Sequence, residues 1–385
     1  MKRYDLLYSK KNAKLISLID HICSIFCNQK KINKKIVPSD NIKTIVIFAN
    51  TRIGDAIMLL PLMHGVRKSY SNAHIIVFCD QLTKIIFERN NLADKYIDLD
   101  WKKLLATPRD LFKNYKIIKN KIKKIEHADI LIETAGDFRI EYFMQFIKAT
   151  RKVSTAIAGG ECFLTDVVEI DIKEHPVEKA RKIASYVGSV DNDNYVPILH
   201  KKKIFYDEYN IKKYDYRIGI NIGASKNVKK WESFRELIQK IEIENTVFIL
   251  YGIEEERKEL EALKECSEMA GYSAIILIEP LTKYIDYLCY SDVVICNDSS
   301  AGHLAAALGI PTISLFGPTD YKMWKPMGNN RVNVLSSELD CAPCNNMYCD
   351  IGKKCMNSIT SEIVYKALLN EHEIFSREKN KKNEF

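Results

Sequence analysis

The chain has 385 residues, 46% hydrophobic and 28% charged, with a net charge of +8. That balance excludes a disordered polymer, and the length exceeds one ordinary core, so two α/β domains are expected. No run approaches the roughly 18 apolar residues of a transmembrane helix, and the start MKRYDLLYSKK lacks the apolar segment of a signal peptide. Eleven cysteines would suit a secreted disulfide scaffold, but Cys79, Cys289 and Cys296 lie in or beside apolar segments. Buried reduced thiols in a cytosolic protein are the simpler expectation.

Residues 1–40 read as a basic amphipathic leader, with lysines on both sides of LISLIDHICSIF. Such a helix can lie on an anionic membrane surface or pack against a domain, and both readings stay open. The first core strand begins near Lys43, so the leader is expected to be dispensable for ligand binding by the domains that follow. No basic-aromatic motif accompanies the lysines, so nucleic acid is not expected as a partner. From 41 to 200, strands are expected at 45–48, 75–78, near Ile97, at 130–133 and at 153–157. Helices are expected between and after them at 54–70, 115–126, 139–148 and 177–187. The polar stretch SVDNDNYVP reads as a linker. A second domain, 216–360, repeats the pattern, with strands at 217–222, 247–251, 275–277, 293–296 and 312–316. Its helices begin near Trp231, Glu254, Leu281 and Ala301. Residues 361–385 read as a C-terminal helix whose end, FSREKNKKNEF, is frayed. Alternation at this spacing implies parallel sheets with right-handed crossovers. The expected fold class is α/β, with two Rossmann-like doubly wound parallel-sheet domains facing across a cleft.

Two turns carry chemistry. In KTIVIFANTRIGDAIMLLPLMHG, Gly54 permits a sharp turn after a strand, and Asp55 then stands at a helix N-terminus with its carboxylate toward the crevice. A plain helix cap is the competing reading. In SDVVICNDSSAGHLAAALGIPTISLFGPTD, a polar turn separates an apolar strand from an alanine-rich helix. Unpaired amides and the helix dipole make that turn an anion site. Ser299 and Ser300 add hydroxyl donors, Asp298 can accept from a sugar hydroxyl, and His303 lies close to the helix start.

The second string closely resembles the donor-binding signature of glycosyltransferase family 9, the bacterial lipopolysaccharide heptosyltransferases. One departure is Ser300, where the family usually has Gly. The first string resembles the family's opening βαβ unit with its R-x-G-D turn. The resemblance implies the GT-B fold, with Asp55 as general base and Arg52 on an acceptor phosphate; a surface arginine is the other reading. NIGASKNVKKW resembles the family's G-A-x-x-x-x-K-x-W segment. That places Lys229 against the nucleotide diphosphate and leaves Lys226 and Lys230 undistinguished, while Trp231 is expected to pack. YGIEEERKEL resembles the family's aromatic-Gly turn. Glu254 would then accept from the ribose hydroxyls of ADP, or simply favour the helix dipole. Asp320 reads as a turn residue.

Cys341, Cys344, Cys349 and Cys355 could close on a structural zinc, although their later spacing is not that of a standard zinc ribbon. Redox or merely structural cysteines are the alternatives. The expected activity is an inverting transfer of heptose from ADP-heptose to a lipopolysaccharide core or related lipid-linked glycan. The enzyme would be cytoplasmic or peripheral on the inner membrane, with no cofactor required for catalysis. Alternatives are a family 9 enzyme using another nucleotide sugar and a non-catalytic sugar-nucleotide-binding protein. A Rossmann dehydrogenase is disfavoured, because the first turn lacks G-x-G-x-x-G.

Overall fold

A computed structural model describes residues 7–27, 29–49, 51–105, 108–188, 196–202 and 207–383. The chain divides into two compact units, 1–195 and 196–385. Most of the stretch read as a linker, 189–195, lies outside the described residues.

The first unit opens with α1 (Lys10–Phe26), β1 (Thr44–Phe48), α2 (Ile53–Met58), α3 (Leu60–Ser69) and β2 (His74–Cys79). It continues through α4 (Gln81–Arg89), β3 (Lys95–Asp98), α5 (Trp101–Leu104), α6 (Pro108–Ile122) and β4 (His127–Glu133). It closes with α7 (Phe138–Phe143), β5 (Lys148–Ser154), β6 (Asp166–Val167) and α8 (Pro176–Tyr186). The sheet is parallel, in the order β3-β2-β1-β4-β5-β6. Helices cover both faces of such a sheet, so its central strands are apolar throughout. Ile45, Val46, Ile47 and Phe48 of β1 are all fully buried.

The second unit contains β7 (Tyr216–Asn221), α9 (Phe234–Lys240), β8 (Thr246–Tyr251), α10 (Arg257–Met269), β9 (Ser273–Leu277) and α11 (Leu281–Leu288). Next come β10 (Val293–Asn297), α12 (Ser300–Ala307), β11 (Thr312–Phe316), α13 (Tyr321–Trp324) and β12 (Val332–Ser336). Two helices, α14 (Lys354–Asn357) and α15 (Ser361–Asn383), end it. Its parallel sheet runs β12-β11-β10-β7-β8-β9, the same winding as the first. Strand order reverses between β1 and β4 in one unit and between β7 and β10 in the other. Ligands of doubly wound sheets bind beyond the carboxyl ends of strands at that switch.

Several elements differ from expectation. The helix expected over 54–70 is two, α2 and α3, divided at Leu59. Pro61 lies in the first turn of α3, has no N–H for the carbonyl four residues back, and so interrupts the ladder. The strand placed at 153–157 lies earlier, at β5, because Ala156 takes a positive φ of 49° and turns the chain away. The stretch read as a frayed tail continues α15 to Asn383. Arg331 binds Glu371 at 2.8 Å and Glu378 at 3.1 Å, and Lys379 reaches Asp215 at 2.7 Å.

The leader is docked. Tyr8 and Ile16 join Phe138, Ala158 and Phe163 in one apolar cluster. Tyr8 donates to Asp137 at 2.5 Å, and buried Asp20 accepts from Gly160 N at 2.8 Å. Packing against a domain is thus one role of the leader, and its removal would uncover part of the first unit's core.

Candidate active site

In the second unit, the loop after β7 and the turn after β10 flank the switch point. Asn297, fully buried at the end of β10, ties them together. Its amide donates to Ile222 O at 2.8 Å, and its carbonyl accepts from Trp231 N at 3.0 Å. That clamp sets the loop so that Lys229 Nζ lies 2.5 Å from Asp298 Oδ2. The side chains are 15% and 10% exposed, so the pair is largely withdrawn from water. Trp231 packs edge-on to Phe234 and donates to Ile359 O at 2.6 Å, a packing role as expected.

Beside this pair begins α12. Ser299 is its N-cap, yet its hydroxyl does not cap the helix, and this buried Oγ has no hydrogen-bond partner among the described residues. Buried hydroxyls are ordinarily satisfied, so this one is suited to a ligand. Ser300 is half-buried, and buried His303 lies one turn further on. A Cβ on Gly302 would stand 2.8 Å from Ser314 Oγ. Only glycine lets this helix lie so close to the sheet. A lysine, amide donors and an unused hydroxyl together make an anion cradle, with a carboxylate at its edge.

Glu254 is not drawn into this group: its carboxylate is exposed and binds Arg257 at 2.6 Å. The guanidinium holds it below the usual carboxylate range. The inward carboxylate of that turn is Glu256, which accepts from Ile253 N at 3.2 Å. A Cβ on Gly223 would stand 3.0 Å from Glu256 Oε1, so this carboxylate underlies the loop carrying Lys229. Lys230 pairs with Glu259 at 3.2 Å, and Asp320 caps α13 through Lys322 N.

In the first unit, the turn after β1 carries Thr51, Arg52 and Asp55. Asp55 occupies the first turn of α2, and its Oδ2 lies 3.4 Å from Arg52 N. Arg52 is exposed, and buried Thr51 Oγ1 has no hydrogen-bond partner among the described residues. Across the switch point, Thr134 Oγ1 donates to Phe48 O at 3.0 Å. Behind it lie two fully buried carboxyls. Glu133 accepts from Ala135 N, Gly136 N and Ser154 Oγ. Neither oxygen of Glu141 has a hydrogen-bond partner among the described residues. Burial, then the neighbouring Glu133, pushes the Glu141 carboxyl well above its usual range.

Residues 118–355 match the family described as glycosyltransferase family 9 (heptosyltransferase). The chain belongs to that family. It is similar to lipooligosaccharide heptosyltransferase 2 of Campylobacter jejuni, 20% identical over 335 residues, covering 83% of this chain and 95% of that one. Among solved structures it resembles a family 9 glycosyltransferase from Veillonella parvula, with TM-score 0.69, 20% identity and coverage of 88% and 98%. It also resembles E. coli heptosyltransferase WaaC with ADP-2-deoxy-2-fluoro heptose, with TM-score 0.64, 16% identity and coverage of 86% and 99%. These likenesses establish the GT-B fold, and the family makes the protein a glycosyltransferase.

The sequence missed Asn297 as the clamp between these two loops of the glycosyltransferase and Glu256 as the inward acid. Both are polar residues at strand or helix ends, where turn chemistry hides a structural role. The four late cysteines have the donor chemistry of a zinc site. Cys341 and Cys344 are exposed and Cys355 is buried. Burial, with the nearby Cys341, Cys344 and Cys349, pushes the Cys355 thiol up. Among the described residues, no three His, Cys, Asp or Glu groups stand where they could share an ion.

Proposed function

We propose that this enzyme transfers heptose from ADP-heptose, with inversion, to a lipopolysaccharide core or related lipid-linked glycan at the cytoplasmic face of the inner membrane. The observation that carries the reading is the Lys229–Asp298 pair beside the unused hydroxyl of Ser299 at the α12 N-terminus. A diphosphate is the ligand that suits it: Lys229 and the α12 amides take the phosphate oxygens, and the freed Asp298 takes a sugar hydroxyl. His303 would help position sugar and phosphates. Glu254 would accept from the ribose diol through the lone pairs that Arg257 leaves unused.

Chemically, Asp55 accepts the proton of the acceptor hydroxyl as its oxygen bonds to the anomeric carbon. The bond from that carbon to the phosphate oxygen breaks on the opposite face, and ADP leaves with the electron pair. Lys229 and the helix-terminal amides stabilise the charge that grows on ADP. Arg52 would hold an acceptor phosphate. Since a lysine and fixed dipoles serve the diphosphate, transfer is expected to survive EDTA. No step runs through a metal at the cysteines; a structural zinc there would require the Cys341–Cys344 segment to draw in, and metal analysis of the isolated protein decides it.

A different nucleotide sugar is the second reading, favoured by Ser300 in place of the family's Gly. A panel of nucleotide sugars, read by nucleotide release with truncated core acceptors, separates the two.

A further inference from the structure

The leader helix has two apolar faces. The inner one, with Ile16, packs on Phe138 and Phe163. The outer one carries Leu15, Leu18, Ile22, Ile25 and Phe26, exposed by 44%, 58%, 46%, 66% and 81%. At 3.6 residues per turn these five fall within an arc of about 100°. A helix that merely covers a domain turns polar residues to water, and a contiguous apolar stripe on the surface marks a contact.

The charge around the stripe says what the contact is. Lys10, Lys11 and Lys14 are exposed at the start of α1, and Lys30, Lys34 and Lys35 are exposed beyond its end. The single acid of the helix, Asp20, is buried on the inner face. We propose that this outer face docks on an anionic lipid surface, its apolar side chains in the acyl boundary and its lysines among headgroup phosphates. Two copies meeting through the same face would bring their lysine clusters together, so a second chain is the poorer occupant. No helix among the described residues is long and apolar enough to cross a membrane, so α1 lies on the surface.

The anchor is placed to serve the chemistry. Tyr8, just before α1, bonds Asp137, which follows the carboxyl end of β4. The Asp55 turn follows the carboxyl end of the adjacent parallel strand β1. The carboxyl-terminal end of the first unit's sheet thus carries both the leader's attachment and the proposed base. In linking the leader to a lipid-borne acceptor, the inference rests on the proposed function; the docking itself does not.

The test uses the full chain, sedimented with vesicles of phosphatidylglycerol and phosphatidylethanolamine or of phosphatidylcholine alone. Wild type should favour the anionic vesicles and detach as salt rises. Leu18→Ser/Ile25→Ser/Phe26→Ser and Lys11→Glu/Lys14→Glu should each lose about tenfold or more in binding. Both should keep the wild-type unfolding midpoint, because the altered side chains face solvent. Equal binding by wild type and either variant overturns the proposal. So does equal binding to both vesicle types, or a wild-type dimer that the triple variant makes monomeric. ADP release from ADP-heptose with a soluble delipidated acceptor, run on the same samples, reports separately on the transferase reading. Its absence in wild type would defeat that reading and leave the vesicle result standing.

Discussion

Removing the ammonium of Lys229 should separate two roles that its geometry joins. Lys229 neutralises Asp298 at 2.5 Å, with side chains only 15% and 10% exposed. Breaking a buried pair from one side costs about 3–5 kcal/mol; with this much residual exposure, about 2–3 kcal/mol is expected for Lys229→Ala. In a unit of this size that lowers the unfolding midpoint by roughly 4–12 °C. The variant also loses a charge-assisted bond to phosphate, about 1.5–3 kcal/mol, or roughly ten- to a hundredfold in ADP affinity. Lys229→Ala/Asp298→Asn should recover most of the stability and none of the affinity, because it removes the orphaned charge without restoring a cation. Calorimetric unfolding and ADP titration of both variants, with Lys226→Ala as control, measure this. Wild-type ADP affinity in Lys229→Ala, or an equal loss in Lys226→Ala, would refute the reasoning.

Asp55→Asn should bind ADP as wild type does and lose transfer by about 10²–10⁴, the scale of a missing general base; near-normal turnover would remove Asp55 from the mechanism. Glu141 has a raised folded pKa, so its contribution is fully present below the unfolded value of about 4.3 and is lost as pH rises. Glu141→Gln should therefore be more stable than wild type at pH 8, with a shallower fall in stability between pH 5 and 8 in urea titrations. An unchanged slope would show that Glu141 ionises freely. Deleting residues before Pro38 should weaken or abolish cooperative unfolding of the first unit, since Tyr8, Ile16 and Asp20 leave Phe138, Phe163 and Gly160 N uncovered. Wild-type melting of the truncated chain would show that the leader's inner contacts contribute little.

Strands buried on both faces were legible because nothing but apolar residues fits there: β1, β10 and β11 stand where their runs place them. The edge strands β6 and β12 were not: β6 is two residues, one of them the buried Asp166 held by Arg151, and the residues of β12 are only partly covered. At the site, Lys229 and Asp298 were legible one at a time through their motifs. Their ion pair was not, since it depends on how Asn297 clamps two loops distant in sequence. The three glutamates after Gly252 show the same limit. Spacing alone could not tell that Glu256 turns inward while Glu254 faces solvent with Arg257. Of the leader's two readings, packing on the domain is seen at its inner face against Phe138, while its outer stripe is exposed to solvent and lipid contact there is a proposal.

The most direct test of the account is to incubate the purified enzyme with ADP-heptose and a truncated core acceptor in EDTA, and to read ADP release alongside the anomeric configuration of the product by NMR. ADP release coupled to a heptosylated product of inverted configuration is the predicted result. Release only from another nucleotide sugar, strict dependence on an added divalent cation, or a product of retained configuration would contradict it.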